Sequence, residues 1–192
     1  MYWRRTMLTT AALMACAALP TEGQLALKGG VIHGNVTATG AVPDDLGDRT
    51  GFTVGLSLAS ASGLMGLGVD ALYAQRGAEG GGATTAWKID YVDVPAYLTV
   101  MVPTPGIAPY AYAGPQVSFE VRCRIGGAEC PGGDRATTTY AGVIGAGVRL
   151  GGRAVSVEGR YVYGLKDLHL ETVTEGSNYR HRSFMILVGV GF

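Results

Sequence analysis

The residue types best suited to chemistry sit near the end of the chain, where His181 and Ser183 stand two positions apart. On an extended strand such a pair shares a face, and a histidine beside a serine is a general base beside a nucleophile, the core of acyl transfer. The imidazole would then need a carboxylate to orient it. Nothing acidic follows Ser183, so Glu171 or Glu175 would have to reach in from elsewhere. His169 and Glu171 also share a face, but with no nucleophile beside them they read as a solvated loop pair. Gly55-Leu56-Ser57-Leu58-Ala59 falls one residue short of a nucleophile elbow, and no helix follows it. Gly145-x-Gly147 followed by Gly151 imitates a dinucleotide fingerprint without a βαβ unit around it; close strand packing and curvature explain those glycines better. The expectation is therefore no catalytic residue, no cofactor and no metal site.

Two of the three cysteines, Cys123 and Cys130, lie close together in a glycine-rich stretch. An even count in an exported chain points to a disulfide closing a small loop. Metal binding is the rival reading, but these two thiols have no nearby histidine to complete a zinc set.

Export itself is read from the amino terminus. Arg4 and Arg5 precede an apolar run over residues 7–19, the layout of a signal peptide, with a cut expected after Gly23. Segment 1–23 is thus a signal and 24–192 a single domain. Leu13-Met14-Ala15-Cys16 loosely resembles a lipoprotein box, leaving lipidation of Cys16 open, and the paired arginines have a twin-arginine look. No later run approaches the length of a membrane-spanning helix.

The elements that must position these residues read as strands. Hydrophobic residues make up 47% of the 192-residue chain, charged ones only 16%, and 31 residues are glycine. Fifteen basic residues balance fifteen acidic ones, so no net field draws nucleic acid. Short Val/Tyr/Thr/Gly runs separated by Gly, Pro and Asp clusters are the pattern of an all-β sandwich or barrel. Strands are expected over 25–35, 51–59, 64–76, 88–102, 107–122, 138–150, 153–165 and 180–192. Their connections alternate: long at 36–50, 77–87, 123–137 and 166–179, short at 60–63, 103–106 and 151–152. An antiparallel meander gathers all long connections at one end, as in barrels with short periplasmic turns and longer extracellular loops.

The faces sort accordingly. With Val69, Val94, Phe119, Val157 and Val188 outward, the charged strand residues Lys28, Asp70, Asp93, Glu120, Arg122, Arg149, Glu158 and Arg160 fall inward. Four acids and four bases can pair across a lumen just wide enough for side chains to fill. Tyr73, Tyr91, Tyr110, Tyr112, Tyr161, Tyr163 and Phe192 lie near strand ends, where those facing outward can form interfacial girdles. His33 is expected at a strand end near an interface.

Several segments then resemble one family. Residues 69–78 (VDALYAQRGA), 91–95 (YVDVP), 109–115 (PYAYAGP), 145–147 (GAG) and 160–165 (RYVYGL) are similar to pieces of the small outer-membrane β-barrel, or porin-family, domain. The closing run 180–192, ending on Phe192, is similar to the final strand and assembly signal of such barrels. The resemblance spans residues 25–192 and departs at Asp70 and Asp93, where the family often has Glu, and at the cysteine loop. It implies an eight-stranded antiparallel up-and-down transmembrane barrel of the OmpX/OmpA shape with both termini periplasmic. The implied partners are outer-membrane lipid, the barrel-assembly machinery through the last strand, and an unidentified ligand of the four loops. The chain is expected to be a monomer.

Three function classes follow: a non-enzymatic surface barrel, a narrow passive pore, and a lipid hydrolase. The last rests on His181 and Ser183, which resemble the H-x-S pair of outer-membrane lipid A deacylases. Asp44-Asp45 would supply the acidic pair of outer-membrane aspartyl-type proteases, but those resemble longer, ten-stranded barrels. Filled by paired charges, eight strands argue against open conductance.

Overall fold

The computed structural model describes residues 23–39, 49–78, 87–125, 128–129, 138–151, 155–165 and 178–192. They form β1 (Gln24–Thr39), β2 (Arg49–Ser62), β3 (Met65–Ala78), β4 (Trp87–Met101), β5 (Ile107–Ile125), β6 (Ala128–Glu129), β7 (Thr138–Leu150), β8 (Val155–Gly164) and β9 (Asn178–Gly191). Each long strand pairs antiparallel with its neighbours in the chain, and β9 pairs back onto β1. The sheet therefore closes into an eight-stave barrel made of β1–β5 and β7–β9. The two residues of β6 merely fold back onto the end of β5. Closure satisfies every stave on both sides, which a sheet in hydrocarbon requires.

Alternation in β9 shows how the sequence makes this wall. Phe184, Ile186, Val188 and Val190 are each about half exposed, whereas Ser183, Met185 and Leu187 are at most 2% exposed. The same split runs round the barrel. Leu27, Val31, Leu56, Leu67, Leu98 and Ile144 face out, while Lys28, Asp70, Asp93, Glu158 and Arg160 are buried inside. A water-soluble barrel does the reverse. A continuous apolar exterior around a polar, paired interior suits lipid outside.

Charge on the outer face confirms the sorting. Among the described residues of the eight staves, the outward charged positions are Lys88, Asp90, Arg122, Arg124 and Arg182, all at the end of the barrel that carries the long connections, where Glu129 of β6 is also exposed opposite Arg124. Below them the outer wall is apolar or small down to the short turns.

Strand edges differ from the sequence reading in two informative places. The first tight turn falls at Gly63–Leu64, with Ser62 paired to Met65, so Ser60–Ser62 belong to β2. Gly63 has φ 62°, and only a residue without Cβ takes that left-handed conformation cheaply. On the third loop the strand does not stop at Arg122 but continues through Cys123 to Ile125. The tips at 40–48, 79–86 and 166–177, and nearly all of 126–137, lie outside the described residues, as do the expected signal segment except Gly23, Cys130, and the candidates Asp44, Asp45, His169, Glu171 and Glu175.

Candidate functional site

Two inward glycines make room for the centre of the lumen. A Cβ on Gly68 would sit 2.3 Å from the Tyr97 ring, and one on Gly145 would sit 2.3 Å from the ring of Tyr112. Each tyrosine lies flat across the glycine of the neighbouring strand, Tyr97 opposite Gly68 and Tyr112 opposite Gly145. The two rings then meet at 4.7 Å between centroids, with Tyr110 6.1 Å from Tyr112.

Their hydroxyls point into a cluster of four ionised groups from three strands, Lys28 of β1, Asp70 of β3, and Glu158 and Arg160 of β8. Asp70 accepts from Tyr97 (2.8 Å), from Lys28 (3.4 Å) and from the Arg160 guanidinium. Glu158 accepts from Tyr110 (2.6 Å), Tyr112 (2.9 Å), Arg160 (2.9 Å) and Lys28 (3.3 Å). Arg160 Nε also donates to the Tyr112 hydroxyl at 2.7 Å. Two carboxylates and two cations cancel, and every carboxylate oxygen has at least one donor. Burial of such charges is tolerated only when they are paired and hydrogen-bonded in this way. Arg160 stands at the centre, 5.8 Å and 5.3 Å from the ring centroids of Tyr97 and Tyr112.

A second pair lies beyond the first. Arg76 donates to Asp93, both buried, and stacks 5.4 Å from the centroid of Tyr91. Gln116 donates to Ser118 at 3.0 Å. Thr53 Oγ1, Asp93 Oδ1, Gln116 Oε1, Arg160 Nη1 and Ser183 Oγ are buried without a protein partner, positions that internal water ordinarily meets. On the turn side a pocket of about 30 Å³, lined among others by Lys28, Tyr97, Arg149 and Glu158, has room for about two waters.

Of the eight expected luminal charges, the structure gathers Lys28, Asp70, Glu158 and Arg160 into one network. Asp93 pairs instead with Arg76, and Glu120 is half-buried on the inner face. Arg149 is half-buried 5.2 Å from the Tyr110 centroid. Arg122 contradicts the expectation: it is exposed on the outer face. The pairing of β4 with β5 slips between Asp90 and Tyr91, so Glu120 opposes Tyr91 while Arg122 opposes Asp90, and Val121 is the extra residue. This β-bulge reverses the alternation, sending Arg122 out and Cys123 in.

Other candidates resolve as follows. Tyr91, Tyr110 and Tyr112 are buried in the lumen, leaving Tyr73, Tyr161 and Tyr163 for the outer face. His33 Nδ1 lies 3.2 Å from Thr50 Oγ1 at the outer loop end of the wall. Phe192 is exposed and its backbone N–H donates to Leu25 at 2.9 Å, tying the end of the chain to β1. Ser183 is 2% exposed and lies on the lumen face of β9.

Arg76 and Tyr97 are the residues that sequence reasoning missed. Both carried a signal: Arg76 has the parity of Asp70 on β3, and Tyr97 that of Asp93 on β4.

A closed apolar-walled barrel with a salt-bridged lumen is matched by sequence as well. Residues 8–192 fit the profile described as outer membrane protein beta-barrel domain. The chain belongs to that family. Among solved structures, Neisserial surface protein A (NspA) is similar at 18% identity and TM-score 0.55, over 88% of this chain and 97% of that one. The outer membrane enzyme PagL is similar at 16% identity and TM-score 0.51, over 85% and 98%. At such identities the likeness is one of fold, and the fold serves a surface protein and an enzyme alike. A search of curated proteins finds no match.

Proposed function

We propose that this outer-membrane barrel is non-catalytic and sealed, and that it acts through its four long connections, held outside the cell on a rigid wall. The carrying observation is the centre of the lumen: the carboxylates of Asp70 and Glu158 are each held by Lys28, Arg160 and tyrosine hydroxyls, which leaves neither as a free base. Loops on such a scaffold are where binding resides. The inward Ser183 supports the same reading against lipid hydrolysis.

The remaining expectations join this proposal. Segment 1–23 is removed on export, the last strand and Phe192 are read by the assembly machinery, Cys123 bonds Cys130 to brace the third loop, and the barrel works as a monomer. Two assays test the core of it. Purified barrel mixed with acylated glycolipid should release no fatty acid, with or without Ser183→Ala. Shortening each loop should keep the boiling-dependent gel shift of a folded barrel while abolishing surface attachment or envelope resistance. Fatty-acid release that depends on Ser183 would overturn the proposal in favour of the hydrolase.

A further inference from the structure

An inward cation near the short turns is left without a counter-ion. Lys28, Asp70, Glu158 and Arg160 sum to zero, and Arg76 matches Asp93. Arg149, half-buried on the inner face of β7, has no described carboxylate within ion-pair distance. Its guanidinium meets the Met101 sulfur at 3.8 Å and the Tyr110 ring at 5.2 Å from the centroid. A thioether is a weak acceptor and a ring face takes no fork, so most of the five N–H donors of Arg149 find no protein oxygen.

The space beside this arginine is made by small residues. Ala26, Ala59 and Gly191 line the turn-side pocket, and a larger side chain at any of them would fill it. Arg149, Thr99 and Ser156 line the same space, so a guanidinium and two hydroxyls border it. A Cβ on Gly189 would stand 2.5 Å from Ser156 Oγ, so that glycine gives the serine hydroxyl its place. Glu158 also reaches the pocket, but both its oxygens already accept from Lys28, Arg160, Tyr110 and Tyr112. It presents no bare negative charge there.

Size then selects among anions. About 30 Å³ holds two waters, and the two oxygens of a planar carboxylate can take those two positions against an arginine fork. A tetrahedral oxyanion brings four oxygens to the same space.

We propose that the turn-side mouth of the lumen is a carboxylate-binding site, with Arg149 as its fork and the hydroxyls of Thr99 and Ser156 beside it. It takes a small carboxylate whole or the carboxyl end of a longer molecule, entering from the periplasm in the orientation proposed above. The site lies below the four-charge cluster and is independent of what the loops bind.

The test is a nuclear magnetic resonance titration of the isotope-labelled whole barrel in detergent micelles, following the backbone amides of Thr99, Ser156 and Gly191. Acetate should shift them along a saturating curve, and acetamide, its uncharged counterpart, should not. N-acetylglycine separates the two sources: saturation like that of acetate admits the carboxyl end of a chain, and no shift assigns the site to free small carboxylates. Arg149→Gln should weaken acetate binding about tenfold, the loss of one charge-assisted pair. Ala59→Leu, which fills the mouth and spares the guanidinium, should abolish it, while Lys88→Gln at the opposite end should change nothing. Each variant must first show the boiling-dependent gel shift, and either site variant that passes is sufficient. Equal shifts with acetamide, tighter binding of inorganic phosphate than of acetate, or undiminished acetate binding in a folded site variant would overturn the carboxylate site and leave the sealed-barrel reading intact.

Discussion

Arg160 is the residue on which the lumen depends. It bridges Asp70 and Glu158 while lying 1% exposed, so removing its charge leaves two buried carboxylates with Lys28 alone. Arg160→Gln should destabilise the barrel by about 3–5 kcal/mol, the usual cost of breaking a buried pair from one side. The midpoint of the folded gel band in urea reads this directly; an unchanged midpoint would mean that water already neutralises the cluster. Gly68 makes a separate prediction. A methyl there collides with Tyr97, so Gly68→Ala should be damaging alone and much less so beside Tyr97→Ala, a coupling above about 1 kcal/mol in a double-mutant cycle. Lys28, Asp70, Glu158 and Arg160 were legible as inward from parity alone, because a charged side chain inside a lipid-facing strand has one permitted face. Which charges pair was not, since strand parity carries no register. That is why Asp93 finds Arg76, four residues beyond its own strand partner Leu72.

At the scale of elements, the alternation of long and short connections carried the topology, and the strand edges of β7 were read to the residue. The Val121 bulge was invisible. Ser118, Phe119, Glu120, Val121 and Arg122 alternate polar and apolar without a break in sequence, and only the register against β4 shows the slip. Its consequence is chemical. Cys123 is buried at 7% exposure, whereas Arg122 is exposed. With Cys130 replaced by Ser, Cys123 should react slowly with a water-soluble maleimide, while Arg122→Cys as the single cysteine should react at the rate of an unfolded thiol. Equal rates would remove the bulge. Deleting Val121 should remove the bulge without exchanging the faces, because Arg122 still opposes Asp90 outside and Cys123 still opposes Ile89 inside, so both maleimide rates should stay as they were.

For the molecule as a whole, inside and outside are set by lipid. A lumen crossed by four mutually paired charges and three tyrosines should pass no ions, so planar bilayers containing the refolded barrel should show no discrete conductance steps. Steady openings would mean that the pairs exchange partners and that the interior is a gate. The wall makes the complementary demand. Ile186 and Leu187 are neighbours of equal hydrophobicity, yet one is half exposed and the other wholly buried. In water the exposed position would accept an arginine with little effect. In a bilayer Ile186→Arg should cost about 2–4 kcal/mol near the midplane, falling towards zero as the same substitution moves up the strand to position 184 and on to Arg182, where the chain already carries a guanidinium stacked 5.4 Å from the Tyr163 centroid. Refolding titrations into lipid vesicles read that gradient. A flat profile along 182, 184, 186 and 188 would place the wall in water. A steep one ties the apolar faces of all eight staves to one hydrocarbon slab, whose upper edge the cations of β4, β5 and β9 mark.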